Sequence, residues 1–221
     1  MNPHRYQAAE YLTAAADLRG MPADLGFEVA FAGRSNAGKS SAINALCRRS
    51  GLARTSKTPG RTRLIQFFRL DDERRLVDLP GYGFANVPLA VKQQWGRLIE
   101  GYLLHRHCLR GLVLMVDIRH PLKDSDWQML EWTAQSGMPV HILLTKADKL
   151  SRGAGAKRLQ EVRIELRQAG ATATLQSFSA LRGQGLDEAL ACLDDWFQWP
   201  SPEAAPATSA TPKESPAPAS G

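Results

Sequence analysis

The chain has 221 residues and a formal net charge of +6 at neutral pH, a length that suits one domain with an ordinary core. Its three cysteines, Cys47, Cys108 and Cys192, have no paired spacing and no neighbouring histidine cluster, which argues against a disulfide framework or a zinc site and favours a reducing compartment. The longest strongly apolar run, residues 112–116, is too short to span a bilayer, and the N-terminus lacks an apolar signal core. We therefore expect a monomeric cytoplasmic protein without a membrane partner.

Short apolar runs that predict strands alternate along the chain with patterns that predict helices. The predicted strands cover residues 27–32, 64–70, 76–79, 112–116, 140–144 and 173–178. The predicted helices cover about 38–48, 88–106, 124–136, 156–169 and 184–197. This alternation is typical of an α/β fold with a mostly parallel six-stranded sheet and helices on both faces. The link Asp71-Asp72-Glu73 is too short for a crossover helix, so it predicts a hairpin and one antiparallel edge strand.

The composition also changes near the two ends of the chain. We expect residues 1–24 to form a partly helical extension and residues 25–200 to form the folded domain. Residues 201–221 are almost wholly Pro, Ala, Ser, Thr and Glu, and such a segment cannot bury enough apolar surface to offset the entropy lost on ordering. We predict a disordered tail there.

A glycine-rich octapeptide lies between the first long strand and the helix that follows it. Its sequence, Gly33-Arg34-Ser35-Asn36-Ala37-Gly38-Lys39-Ser40, matches the phosphate-loop pattern. In such a loop the backbone N–H groups and the helix N-terminus hold phosphates. A lysine at the position of Lys39 contacts the β- and γ-phosphate oxygens, and a hydroxyl at the position of Ser40 ligates Mg²⁺. The sequence therefore predicts a site for a nucleotide with Mg²⁺.

A second motif, Asp78-Leu79-Pro80-Gly81, follows the end of a predicted strand. By itself it indicates only a turn. Downstream of a phosphate loop, however, its carboxylate can hold the Mg²⁺ shell and its glycine N–H can contact the γ-phosphate.

Two further strand ends carry residues suited to a purine base. In Thr145-Lys146-Ala147-Asp148, the final carboxylate can accept the N1–H and N2–H₂ donors of guanine, which adenine does not offer, and the stem of Lys146 can cover the base. Phe178-Ser179-Ala180 ends the last strand and can offer backbone N–H groups to guanine O6. Together these motifs favour GTP and GDP as ligands.

These motifs, in this order, resemble those of the Era, EngA and TrmE superfamily of GTPases and, more narrowly, the EngB (YihA/YsxC) family of bacterial GTPases. The narrower resemblance rests on the phosphate loop with Ser41, on Thr58-Pro59-Gly60-Arg61-Thr62, on Asp78-Leu79-Pro80-Gly81-Tyr82-Gly83 and on Asp117-Ile118-Arg119-His120-Pro121 with Asp126, Met129 and Trp132. It covers about residues 22–199. The chain differs from the family at Arg63, where Gln is usual, and in its tail.

The resemblance implies a Ras-like P-loop fold, GTP hydrolysis, and a role in large ribosomal subunit assembly and in normal cell division and septation. It implies Mg²⁺ held by Ser40 and Thr62. It also extends the nucleotide site to Gly60, Arg61, Thr62, Arg63 and Leu64.

Slow hydrolysis is expected because Tyr82 stands where many GTPases carry a water-orienting Gln. The candidate catalytic residues are Lys39, Thr62 and Asn36. Asn36 also resembles a residue that holds K⁺ beside the phosphates in related GTPases, although it can equally serve only to shape the loop.

Residues 48–63 form a strongly basic segment. They contain no acidic residue and six cations, Arg48, Arg49, Arg54, Lys57, Arg61 and Arg63. The segment surrounds Thr62, the expected switch-I threonine, and so suggests a nucleotide-gated patch for the large ribosomal subunit or its RNA. A plain solvated loop is the alternative.

Three other functions stay open from the sequence. A small-molecule kinase shares Lys39 and Ser40 but should lack the guanine motif. A guanine-nucleotide binding module would lack useful turnover. A GTPase switch of the same superfamily would act on another RNA.

Overall fold

The computed structural model of the protein describes residues 4–53, 64–83 and 89–199. The strands in these residues are β1 (Glu10–Ala15), β2 (Phe27–Gly33), β3 (Ile65–Arg69), β4 (Arg74–Asp78), β5 (Leu109–Asp117), β6 (Val140–Thr145) and β7 (Thr174–Ser177). The helices are α1 (His4–Gln7), α2 (Lys39–Leu46), α3 (Leu89–His105), α4 (Asp124–Gln135), α5 (Arg152–Gln168) and α6 (Leu186–Phe197), and a 3-10 turn spans Ala147–Lys149.

The strands form one sheet in the order β1-β3-β4-β2-β5-β6-β7. The five strands from β4 to β7 are mutually parallel, whereas β3 is antiparallel to both of its neighbours. This confirms the α/β class and the predicted hairpin. The hairpin turns at Asp71, whose Oδ1 accepts hydrogen bonds from the backbone N–H groups of Glu73 at 2.9 Å and Arg74 at 2.7 Å.

The sheet has seven strands rather than the six expected, because residues 10–15 of the N-terminal extension add an edge strand. β3 is therefore an interior strand. Pairing with β1 satisfies the backbone groups that β3 would otherwise expose at an edge. Tyr11 of β1 also packs edge-on against Phe68, with ring centroids 6.3 Å apart.

Helices cover both faces of the sheet. α3, α4 and α5 bury residues such as Tyr102, Trp132 and Leu166 on one face, and α1, α2 and α6 bury Tyr6, Ile43 and Phe197 on the other. Because both faces are covered, the central strand β5 is an almost continuous buried run.

A buried carboxylate ties three elements together at the amino ends of the parallel strands. Glu28 in β2 has no exposed surface. Its oxygens accept hydrogen bonds from Arg75 at 2.9 Å, from Arg106 at 2.7 and 2.9 Å and from the hydroxyl of Tyr102 at 2.9 Å. The two guanidinium groups offset the cost of burying this charge, so the network fixes α3 and β4 against β2 at the end of the sheet opposite the phosphate loop and the guanine motif.

Among the helices in the described ranges, none is long and apolar enough to cross a lipid bilayer. The predicted tail, residues 201–221, lies outside the described residues.

Candidate nucleotide-binding site

The predicted site residues meet at one edge of the sheet, where the parallel strands β2, β4, β5 and β6 end. Ligands bind at the carboxyl ends of strands in open α/β sheets, because loops from several strands converge there. The phosphate loop leaves β2, Asp78 ends β4, Asp117 ends β5, and the guanine motif follows β6.

The phosphate loop is held in shape by its own backbone and by β6. Asn36 and Gly38 have positive φ angles of 62° and 91°, and Gly38 caps α2. The hydroxyl of Thr145 donates to the carbonyl of Ala37 at 2.5 Å, and Lys146 Nζ donates to the carbonyl of Asn36 at 2.5 Å. Two residues of the guanine motif therefore brace the phosphate loop.

Gly33 cannot be replaced without moving the sheet. A Cβ at this position would lie 2.8 Å from the Cβ of Met115 and 2.9 Å from its carbonyl oxygen in β5. The loop can leave β2 so close to β5 only with glycine there.

Lys39 and Asp78 are in direct contact through Nζ and Oδ1. Both side chains are largely buried, with 12% and 5% of their surfaces exposed. The contact brings the predicted phosphate-binding cation and the strand-end carboxylate together, beside the first turn of α2 that carries Ser40. The hydroxyl and carboxylate oxygens of Ser40 and Asp78 are hard donors of the kind that Mg²⁺ prefers, so the residues present fit this ion.

The rest of the Asp78-Leu79-Pro80-Gly81 motif runs alongside the phosphate loop. Leu79 is buried and its N–H donates to the carbonyl of Phe31 at 3.0 Å. A Cβ on Gly81 would lie 3.7 Å from the Cα and from the N of Ser35. Gly81 is therefore in contact range of the phosphate loop.

The side chain of Ser179 binds the carboxylate of Asp148, a contact that the sequence did not predict. The buried hydroxyl of Ser179 donates to Oδ1 of Asp148 at 2.6 Å. This hydrogen bond, assisted by Lys149 and opposed by burial, lowers the pKa of the Asp148 carboxyl. The carboxylate is thus ionised at neutral pH and able to accept the two guanine donors.

Backbone hydrogen bonds limit what residues 178–180 can offer to a base. The N–H of Phe178 donates to the carbonyl of Leu144 at 2.8 Å, and the N–H of Ser179 donates to the carbonyl of Gln184 at 3.0 Å. The N–H of Ala180 is therefore the candidate donor to guanine O6 from this motif. Ser179 instead donates its hydroxyl to Asp148.

Asp117 is a functional candidate that sequence reasoning left out of the site. Its Oδ2 lies 2.9 Å from Lys146 Nζ and 2.7 Å from Arg119 Nη2. Burial alone would raise the pKa of Asp117, but the hydrogen bonds from Arg119 and Lys146 hold it well below its usual range. The signal was present, since Asp117 ends a strand as Asp78 does, and its contact with Nζ restrains the Lys146 side chain.

The residue that follows Gly81 is bound to a buried carboxylate of α4. The hydroxyl of Tyr82 donates to Oδ1 of Asp126 in α4 at 2.9 Å. Asp126 has no exposed surface, and burial raises the pKa of its carboxyl against the hydrogen bonds from Lys123 and Tyr82 and the charge of Arg34. Burial and the neighbouring Asp126 raise the pKa of Tyr82 well above its usual value.

Part of the predicted site lies outside the described residues, namely Gly60, Arg61, Thr62 and Arg63 with the basic residues Arg54 and Lys57. Leu64 resumes the described chain with 38% of its surface exposed. Arg48 and Arg49 are exposed on the other side of this gap, and the Arg49 guanidinium donates to the carbonyl of Ala9.

A groove of about 960 Å³ lies between α5, β7 and the start of α6 and includes Asp148 in its wall. Its lining contains no residue of the phosphate loop. The groove is therefore adjacent to the site that holds the motifs, not identical with it.

Comparisons with known proteins agree with this geometry. Residues 28–146 match the family model described as 50S ribosome-binding GTPase. A protein of Coxiella burnetii named probable GTP-binding protein EngB is 54% identical over 193 residues, which cover 87% of this chain and 94% of the relative.

Two solved structures support the fold. The crystal structure of a probable GTP-binding protein EngB has a TM-score of 0.63 at 20% identity and covers 77% of this chain and 98% of its own. The structure of Era in complex with MgGDPNP and a segment of 16S ribosomal RNA has a TM-score of 0.58 at 18% identity, covering 78% of this chain and 57% of its own. The sequence match and the family model exclude the kinase alternative. The chain belongs to the EngB family of GTP-binding proteins and is a GTPase of the P-loop type.

Proposed function

We propose that this GTPase is a Mg²⁺-dependent switch with slow turnover that acts in assembly of the large ribosomal subunit. The observation that carries the proposal is that two sets of predicted ligands lie at the same end of the sheet. Lys39 is there for the phosphates and Asp78 for Mg²⁺, and Lys146 and Asp148 are there for guanine. A protein that binds GTP in this way can present a different surface with each nucleotide.

Mg²⁺ dependence is supported by the oxygen donors of Ser40 and Asp78, with Thr62 as the proposed further ligand. When bound, the ion would supply positive charge that neutralises the negative charge developing on the phosphates. Within the chain itself, the ammonium group of Lys39 contacts the carboxylate of Asp78. When a nucleotide binds, Lys39 can exchange that carboxylate for phosphate oxygens. The Era structure described with MgGDPNP has the same fold.

Slow hydrolysis is supported by Tyr82, which stands where many GTPases carry a water-orienting Gln and whose hydroxyl donates to Asp126. The proposed catalytic residues are Lys39, Thr62 and Asn36. Activation by K⁺ through Asn36 stays a hypothesis. For Asn36 the structure gives a left-handed backbone conformation and a carbonyl that accepts a hydrogen bond from Lys146. Equal hydrolysis rates in KCl and NaCl at one ionic strength would remove the K⁺ hypothesis.

The ribosomal partner is supported by the description of the matching family model and by the basic segment of residues 48–63. The exposed Arg48 and Arg49 begin this segment at the end of α2, directly after the helix that opens at the phosphate loop. A run of cations that leads along the chain to Thr62, the proposed switch-I threonine, is suited to a contact with RNA phosphates that the nucleotide gates. A cytoplasmic location, a monomeric state and a link to septation belong to the same proposal.

Sedimentation of the full chain with large ribosomal subunits tests this proposal. We expect stronger binding with a non-hydrolysable GTP analogue than with GDP, and a binding constant that falls with salt. Substituting Arg54→Ala and Lys57→Ala together should reduce the steepness of the salt dependence by roughly one unit per lost phosphate contact. The matched control is Lys157→Ala with Arg167→Ala, two exposed cations of α5, which should bind as wild type does.

Equal binding with both nucleotides, together with an unchanged salt dependence in the Arg54/Lys57 variant, would refute the ribosomal switch. Phosphate release measured with and without ribosomal subunits separates a slow GTPase from a binding module without turnover. Binding to an unrelated RNA with the same nucleotide dependence would favour a different RNA target.

A further inference from the structure

Asp126 is a buried carboxylate, outside the four nucleotide motifs, on which three segments of the chain converge. The Tyr82 hydroxyl donates to Oδ1 at 2.9 Å, and the backbone N–H of Lys123 donates to Oδ2 at 3.0 Å. Arg34 Nε lies 3.2 Å from Oδ2. This Nε atom has no hydrogen-bond partner among the described residues, so its contact with Asp126 is an ion pair.

Arg34 and Tyr82 belong to the two backbone segments that must sense the γ-phosphate. Arg34 is the second residue of the phosphate loop, and its Nη2 also donates to the carbonyl of His120 at 2.6 Å. Tyr82 directly follows Gly81. Asp126 therefore joins the phosphate loop and the segment after β4 to the start of α4.

The backbones of the same two segments are paired. The N–H of Ser35 donates to the carbonyl of Tyr82 at 2.8 Å, and the N–H of Tyr82 approaches the carbonyl of Gly33 at 3.4 Å. Gly83, with a φ of 76°, lies against the Arg34 side chain, since a Cβ there would be 3.4 Å from Arg34 Cγ and Cδ. This pairing docks Gly81 on the phosphate loop.

We propose that Asp126 is a positioning residue that raises the affinity of the site for GTP relative to its affinity for GDP, by holding Tyr82 and Arg34 and so keeping Gly81 docked on the phosphate loop. The inference rests on the proposed contact between the Gly81 N–H and the γ-phosphate. GDP has no γ-phosphate, so loss of the docked arrangement reduces the affinity for the triphosphate alone. A change in conformational equilibrium alters binding only of the ligand that distinguishes the two states.

The Glu28 network provides a matched control. There the hydroxyl of a buried tyrosine, Tyr102, donates to a buried carboxylate at 2.9 Å, the same distance as in the Tyr82 pair. Guanidinium groups neutralise both carboxylates. The Glu28 network lies at the amino ends of the strands, away from the phosphate loop.

The experiment compares four variants with wild type: Asp126→Asn, Tyr82→Phe, Glu28→Gln and Tyr102→Phe. For each protein, one measurement gives the Kd of fluorescent GDP and of a fluorescent non-hydrolysable GTP analogue. Urea unfolding gives its stability. We expect Asp126→Asn and Tyr82→Phe to weaken binding of the GTP analogue about tenfold, the size expected for loss of one hydrogen bond to a charged group. Their Kd for GDP should change less than about twofold. Glu28→Gln and Tyr102→Phe should lose stability with an unchanged ratio of the two Kd values.

A ratio that stays at the wild-type value in both Asp126→Asn and Tyr82→Phe, or that changes as much in the control pair, would overturn the proposal. If Asp126→Asn does not fold, Tyr82→Phe decides alone, because it removes only the hydroxyl and retains the ring. The assay contains no ribosomes, so its result does not depend on whether the protein binds the large ribosomal subunit. Failure of wild type to distinguish the two nucleotides would instead refute the proposed γ-phosphate contact.

Discussion

The carboxylate of Asp148 shows how single residues select the base in this site. Its Oδ1 accepts a 2.6 Å hydrogen bond from Ser179, and its Oδ2 lies 3.3 Å from Lys149 Nζ. These contacts orient the group and favour its ionised form, in which it accepts hydrogen bonds and donates none. An amide in the same place would present one acceptor and two donors.

We predict that Asp148→Asn lowers GTP affinity on the order of 10²–10⁴-fold, the cost of two hydrogen bonds to a charged acceptor. It should raise affinity for xanthine nucleotide, whose C2 carbonyl accepts a hydrogen bond where the guanine amino group donates one. Competition between GTP and XTP for a fluorescent nucleotide measures both effects. Asp187→Asn, an exposed aspartate in the first turn of α6, is the control and should keep the wild-type preference. An unchanged preference for GTP in Asp148→Asn would remove this role.

At the scale of elements, α6 approaches the sheet closely at one point. A Cβ on Gly111 of β5 would lie 2.5–2.7 Å from three ring atoms of Trp196 in α6. Only a residue without a side chain lets the indole lie flat against this strand. The glycine thus sets the distance between helix and sheet on the face opposite α3, α4 and α5.

Gly111→Ala should lower the free energy of unfolding by about 1–3 kcal/mol, because it overpacks a rigid contact. Gly153→Ala in α5 is the matched control, since a Cβ there meets nothing within 4 Å, and alanine should stabilise the helix by about 0.5–1 kcal/mol. Urea denaturation measures both. Equal stabilities for the two variants would show that the contact with Trp196 carries no constraint.

At the scale of the whole molecule, the two ends of the folded chain close over the start of β4. Arg74 lies with its guanidinium carbon 4.4 Å from the ring centroid of Trp199 and 5.1 Å from that of Phe27. The hydroxyl of Tyr6 donates to Asp194 at 2.7 Å and lies 3.4 Å from Trp199 Nε1. This closure lies at the amino ends of the parallel strands, whereas the nucleotide motifs lie at their carboxyl ends.

Trp199→Ala should therefore lower the melting temperature by about 5 °C, from loss of roughly 1–3 kcal/mol of packing and cation–π contact, and leave the Kd for GDP unchanged. Thermal unfolding and nucleotide titration measure the two quantities. A variant truncated after Trp199 is the control for the predicted tail, and its melting temperature should equal that of the full chain. A parallel fall in GDP affinity in Trp199→Ala would show that the two ends of the sheet are coupled.

Most of the fold and the chemical groups of the site could be predicted from the sequence because their signals are local. The alternation of apolar and amphipathic segments predicted the elements from β2 to α6, and the phosphate loop was identifiable from eight consecutive residues. The edge strand β1 was missed because its residues are mostly exposed or only partly buried. What makes them a strand is the free edge of β3, far away in the chain.

The sequence by itself determined the fold class, the phosphate loop and the guanine motif, because periodicity and short motifs need only neighbouring residues. Only the tertiary structure decided which polar side chains hold those motifs in place. Ser179 reaches Asp148 across 31 positions and Tyr82 reaches Asp126 across 44. Neither pair has a spacing that distinguishes it in the sequence, since each contact depends on how parallel strands and their loops are brought together at one edge of the sheet.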